Sequence, residues 1–143
     1  MLLAIDPGVD SGWALFVAGK LVACGLGDPR ASEKHKAADI THVVIEQPTV
    51  YPRSPVPPND IVTLAVNAGE WGGTYRQLGA NVEYVRPRVW KGSVPKDIHH
   101  ARVWAALTPA EQGVVDAAVR KVTPSKRHNV LDAVGLGAWR VRQ

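Results

Sequence analysis

The sequence predicts an α/β domain, and three observations carry that expectation. Five short apolar runs read as strands, two of those runs end on an acid, and helical patterning follows the fourth and fifth. The 143 residues fit a single domain spanning 1–143, and 45% apolar content is enough for one real core.

The first strand is Leu2-Leu3-Ala4-Ile5-Asp6, four apolar residues and a carboxylate, stopped by Pro7-Gly8. The turn through Gly12 leads into a second run over 12–17, and Ala18-Gly19-Lys20 is a tight-turn sequence joining it to a third over 20–26. These three form a meander. Residues 27–40 are polar and mixed in charge, a loop with at most a short helix. Thr41 to Pro48 contains a second buried-strand signature, Val43-Val44-Ile45, ending on Glu46. Such a run, covered on both faces, belongs in the middle of a sheet beside the first strand. Its acid then sits at the carboxyl end, where open α/β sheets gather ligands.

Five prolines between 47 and 58, with Tyr51 and Arg53 among them, make a stiff exposed loop. A helix is expected from Asn59 to about Leu78, capped by Asn59 or Asp60, with Ile61, Leu64, Ala65, Ala68, Trp71 and Leu78 on its apolar face. Gly69, Gly72 and Gly73 weaken it by roughly 1 kcal/mol each relative to Ala. They either admit another helix, from a second subunit, or mark irregularity. Residues 80–85 read as the fifth strand. Two helical stretches follow at 97–107 and 109–121, the second opened by the capping-box pattern Thr108-Pro109-Ala110-Glu111. The last helix, 128–140, carries His128, Asn129 and Asp132 on one face, and Ala133, Gly135 and Gly137 let it lie against a sheet.

Charge is unevenly distributed. Residues 1–85 hold 6 Lys/Arg against 9 Asp/Glu, a net of −3, whereas 86–143 hold 11 against 4, a net of +7. An acidic front half and a basic back half suit a metal-dependent enzyme acting on a polyanion. The segment 86–96 interleaves Arg86, Arg88, Lys91 and Lys96 with Trp90, a composition that suits phosphates and bases; Lys126 and Arg127 add to it. The single Cys24 excludes an internal disulfide framework and a cysteine zinc site, and suits a reducing cytoplasm. No apolar run of about 18 residues is present to span a membrane, and a secretory signal is not expected.

A strand ending Ile5-Asp6-Pro7-Gly8 before a Gly12-Trp13-Ala14 hairpin, a strand ending Val44-Ile45-Glu46-Gln47, and a late helix carrying Asp132-Ala133 together resemble the RuvC-type Holliday junction resolvases. These belong to the ribonuclease H-like superfamily, and the likeness is strongest to their phage-encoded relatives. It covers the whole chain in order, though only those three motifs match closely. The resemblance implies a five-stranded mixed sheet, three antiparallel strands with the fourth and fifth beside the first, flanked by helices. It also implies a homodimer, in the host cytoplasm if phage-encoded, that cuts paired strands of a four-way DNA junction using two divalent ions. Carried over, Asp6 bridges the ions, Glu46 ligates one and Asp132 the other. Where the family has an acid or His three residues before the helical Asp, this chain has Asn129. His128, one further back, is preferred as ligand or proton shuttle, with Asn129 the lesser candidate. The family's loop can insert an aromatic at the junction centre, but the spacing of Tyr51 from Glu46 does not match.

Phosphodiester hydrolysis needs an activated water, charge neutralisation and a stabilised leaving oxygen, which two metals supply. Carboxylates suit Mg²⁺, with Mn²⁺ able to substitute. Taken singly, each acid has a plainer role: Asp6 as a turn cap, Glu46 as the partner of an arginine, Asp132 as a surface acid of its helix, with His128 beside an N-cap. Three rivals follow from the same residues. One is a related nuclease cutting forks or RNA-containing duplexes. Another is a non-catalytic junction-binding protein. The third is a nucleotide-binding module of the actin/sugar-kinase type, disfavoured because such folds need two domains; no nucleotide cofactor is expected.

Overall fold

The computed structural model describes residues 1–32, 35–52 and 55–143. Its five strands are β1 (Leu2–Asp6), β2 (Gly12–Val17), β3 (Lys20–Leu26), β4 (His42–Glu46) and β5 (Asn81–Val85). They form one sheet in the order β3-β2-β1-β4-β5, antiparallel from β3 to β1 and parallel from β1 to β5. The expected mixed sheet is therefore present, with the first strand at its centre. The helices are α1 (Pro58–Gln77), α2 (Pro87–Trp90), α3 (Lys96–Ala106), α4 (Pro109–Val119) and α5 (Arg127–Val141), with short 3-10 turns at 29–31, 37–39 and 124–126.

The β2–β3 turn explains why the meander closes so tightly. Ala18 (φ 48°) and Gly19 (φ 79°) are both left-handed, the conformation that matches the twist of a two-residue hairpin. Strand periodicity then sorts the side chains. Leu3, Ile5, Val43 and Ile45 face α1, in a core with Ala68 and the fully buried Tyr75. Ala4, Ala14, Phe16 and Val44 face α5, in a core with Val130, Ala133, Val134 and Leu136. Because side chains alternate, Asp6 shares the face of Ala4, and Glu46 the face of Val44. Both acids end their strands on the side that α5 covers.

Two glycines set how closely α5 lies on the sheet. A Cβ on Gly12 would stand 1.9 Å from the Asn129 carbonyl oxygen, and one on Gly137 would stand 2.1 Å from the Phe16 ring. Gly135, expected to face the sheet, instead admits Val103, Trp90 and His99, so it seats α2 and α3 on α5.

Helix α1 differs from its expectation at its start and on its buried face, and ends at Gln77 with Leu78 at the cap position, as expected. Pro58 begins it, with Pro57 at the cap position, and neither Asn59 nor Asp60 caps it. Proline's fixed φ and missing N–H suit the first helical position, so the helix starts one residue early. Its buried residues are Ala68, Gly72 and Tyr75; Ala65 and Leu78 are exposed. Gly72 receives the Tyr84 side chain of β5, not another helix. Helix α4 begins as expected, with Thr108 and Glu111 forming both bonds of the capping box.

Candidate active site

The β1–β4 register pairs Ala4 with Val44 and Ile5 with Ile45. One step on, Asp6 and Glu46 therefore lie side by side at the carboxyl ends of parallel central strands. Asp132, on the buried face of α5, is 4% exposed and comes within electrostatic reach of both. The three acids predicted from sequence thus share one neighbourhood, although they come from three separate elements.

Their environments differ. The Asp6 carboxylate is raised well above its ordinary pKa, first by burial, then by the charges of Glu46 and Asp132. Among the described residues it has no hydrogen-bond or ion-pair partner. Glu46 is also raised by burial, which outweighs the Lys91 ammonium 3.1 Å away and the Trp90 indole N–H donating at 2.9 Å to the same Oε2. At Asp132 burial is overcome. His100 Nε2 lies 2.9 Å from Oδ1 and Lys96 Nζ 3.4 Å from Oδ2, and these with Lys91 bring its pKa below the ordinary value. Lys91 loses stability as a cation through desolvation, but Glu46 and Asp132 more than restore it.

Donor chemistry at this site fits a hard divalent cation: carboxylate oxygens, with one buried acid that Lys91 and Lys96 influence only at a distance. In the arrangement observed, Glu46 and Asp132 are engaged by Lys91, Lys96 and His100. Among the described residues no three His, Cys, Asp or Glu side chains converge as a ligand set.

The remaining predicted residues divide clearly. His128 is half-buried in the same electrostatic neighbourhood, its pKa lowered by burial and by Lys96, but the histidine bonded to Asp132 is His100. Asn129 donates from its amide to the Asp10 carbonyl at 3.1 Å, tying α5 to the turn after β1. Lys126 pairs with the Asp10 carboxylate at 2.6 Å, and Arg127 Nε donates to the Val122 carbonyl. Trp90, expected to meet DNA, is 7% exposed and directs its N–H inward to Glu46, so its ring is largely withdrawn from the surface. Arg86 and Arg88 are exposed; Arg88 lies over the Tyr51 ring at 5.0 Å. Arg53 lies outside the described residues.

Sequence reasoning missed His100. Lys96 and His100 are four apart on α3, so they share a face, and both reach Asp132. That spacing was the available signal.

No protein-family model and no curated protein sequence matches the chain. Solved structures do. A Thermus thermophilus RuvC in complex with Holliday junction substrate superposes with a TM-score of 0.54 at 14% identity, covering 96% of this chain and 90% of that one. The fold is RuvC-like. A second Thermus thermophilus RuvC structure gives a TM-score of 0.50 at 16% identity, over 96% and 91% of the two chains. At these identities the RuvC likeness establishes the architecture, and the chemistry must be argued from the residues.

Proposed function

We propose that the protein is a metal-dependent, structure-selective DNA endonuclease that resolves four-way junctions by phosphodiester hydrolysis. The observation that carries this reading is the unpartnered Asp6 carboxylate, whose charge is opposed by burial, Glu46 and Asp132. Folding three acids together while giving the central one no direct partner is costly, since Lys91 and Lys96 offset its burial and its like-charged neighbours only in part, and a cation-binding role supplies a reason for it. The chemistry that two bound Mg²⁺ or Mn²⁺ ions supply is water activation and neutralisation of charge on the phosphate. In this reading Asp6, Glu46 and Asp132 would hold the ions through their carboxylate oxygens. His100 orients the Asp132 carboxylate, Trp90 orients Glu46, and His128 stands nearby to carry a proton. Arg86 and Arg88 extend the site as exposed cations for flanking phosphates, with Tyr51 packed against Arg88. No helix among the described residues is long and apolar enough to cross a membrane.

Symmetric incision needs two sites, so the active form in this reading is a homodimer. Helix α1 offers a surface for it: Val62 is 59% and Val66 55% exposed, and Gly69 and Gly73 on the same stripe have open space above them.

The test is incubation of a synthetic four-way junction with and without Mg²⁺, beside fork, linear duplex and RNA–DNA hybrid. Paired incisions of the junction, dependent on Mg²⁺ and lost in Asp6→Asn, are expected. Preferred cutting of forks or hybrids would reassign the substrate. Tight junction binding with no metal-dependent cleavage would leave only a binding protein.

A further inference from the structure

Lys91 and Lys96 were expected to touch DNA, yet the ammonium of each is turned onto an acid. Lys91 Nζ sits on Glu46 Oε2, and Lys96 Nζ on Asp132 Oδ2. Both carboxylates belong to the proposed metal cluster, and His100 occupies the other oxygen of Asp132. A hard divalent ion binds such an oxygen at roughly 2.0–2.6 Å. An ammonium 3.1 Å from that same oxygen would then be adjacent to a like charge, and the two repel. Lysine and metal therefore compete for the same sites.

The competitor is well placed to leave. Lys96 is about half exposed at the start of α3, with its side chain 54% accessible. Lys91 follows the four-residue helix α2, and next to it Gly92 is left-handed with nothing within 4 Å of its Cβ position. Arg86 and Arg88 lie exposed on the same short segment, so an ammonium released from a carboxylate joins an existing cationic surface.

We propose that Lys91 and Lys96 are exchangeable counterions, which neutralise Glu46 and Asp132 until divalent ions load and then pass to backbone phosphates of the DNA. The proposal rests on the nuclease reading and adds a regulatory consequence to it. Each ion that enters releases a cation for DNA, and DNA that captures a lysine clears a carboxylate for metal. Metal and DNA therefore bind with positive coupling, which must be reciprocal. The device also keeps Glu46 and Asp132 paired when no substrate is bound.

The test uses the full chain, with Lys91→Met and Lys96→Met made separately. Mn²⁺ binding is measured by calorimetry without DNA. Binding of a labelled four-way junction is measured by anisotropy in Ca²⁺ and in EDTA. In wild type, Ca²⁺ should tighten junction binding by roughly 5–150-fold, the usual span for coupled sites. Each variant should bind Mn²⁺ more tightly than wild type and show a smaller Ca²⁺ gain, read as the ratio of its own junction affinities in Ca²⁺ and in EDTA. Lys96→Met removes a half-exposed side chain, so it keeps the test alive if Lys91→Met fails to fold. Mn²⁺ affinity unchanged or weakened in a folded variant, or an undiminished Ca²⁺ gain, would overturn the exchange while leaving the nuclease reading intact. Wild type that binds no Mn²⁺, with or without junction, would remove both.

Discussion

The acids and the cations that face them are held in contrasting ways. Asp6 and Glu46 end central strands whose three preceding residues are buried, and Asp132 lies among the buried residues of α5. Their positions follow from sheet register and from the close seating of α5. Lys91 follows the four-residue helix α2 and is partly covered, and Lys96 begins α3 with its side chain about half exposed. Like charges set by sheet register and a buried helix face meet opposite charges carried on a short turn and a helix start. On the exchange proposed above, the fold fixes the groups that repel one another and leaves the neutralising groups replaceable.

The largest expected effect comes from the fixed side. Asp6→Asn should reduce junction cleavage by more than the roughly 10–100-fold that losing an outer-shell partner costs. Single-turnover assays on a junction, alongside binding to confirm that affinity survives, check this. His100→Ala should fall within that range, because it removes the bond that orients Asp132 and leaves the acid itself. Equal losses in the two variants would erase the distinction between the acids and their support.

Gly12→Ala tests the seating of α5. Backbone of α5 occupies the space its methyl needs, so a destabilisation of about 3 kcal/mol is expected, at the upper end for overpacking. Urea denaturation measures it. A change below 1 kcal/mol would mean that α5, and Asp132 with it, is free to shift.

Acidity separates the acids further. The pKa of Asp6 is raised in the fold, so the folded state holds its proton more tightly than the unfolded chain. Its contribution to stability is therefore greatest at acid pH and declines as pH rises from about 4 through the raised value. Asp132, with its pKa lowered, behaves oppositely: its contribution is present above the unfolded value and is lost as pH falls through the folded one. In EDTA, Asp6→Asn should remove the declining limb and leave the protein more stable at neutral pH. Denaturation curves across a pH series would show it, and a less stable variant at pH 7 would contradict it.

The smallest effect is expected on the movable side. Tyr51→Ala removes the ring beneath Arg88, a contact worth about 0.5–1 kcal/mol at an exposed position, and should weaken junction binding only a few-fold.

Much of this was legible in the chain. The first three strands fall on their expected residues, because apolar runs bounded by Pro-Gly and Ala-Gly have few alternatives. Asp6, Glu46 and Asp132 were readable because each closes or punctuates an apolar pattern. His100 was harder to read: its spacing from Lys96 marks a shared helix face, but the acid that both reach is 32 residues from His100 in the chain. The inward turn of Trp90 was hidden too: an aromatic among cations reads the same whether it faces DNA or a buried glutamate. Tyr75 escaped notice for a related reason, since a polar tip masks a side chain that the core buries whole.

The central claim is that three carboxylates from β1, β4 and α5 form one cation-binding centre. Anomalous diffraction from crystals of the protein soaked in Mn²⁺ tests it most directly. Peaks ligated by Asp6, Glu46 and Asp132, with Lys91 and Lys96 displaced, are the predicted result. Density showing both lysines still on their carboxylates at saturating Mn²⁺, and no peak beside Asp6, would contradict it.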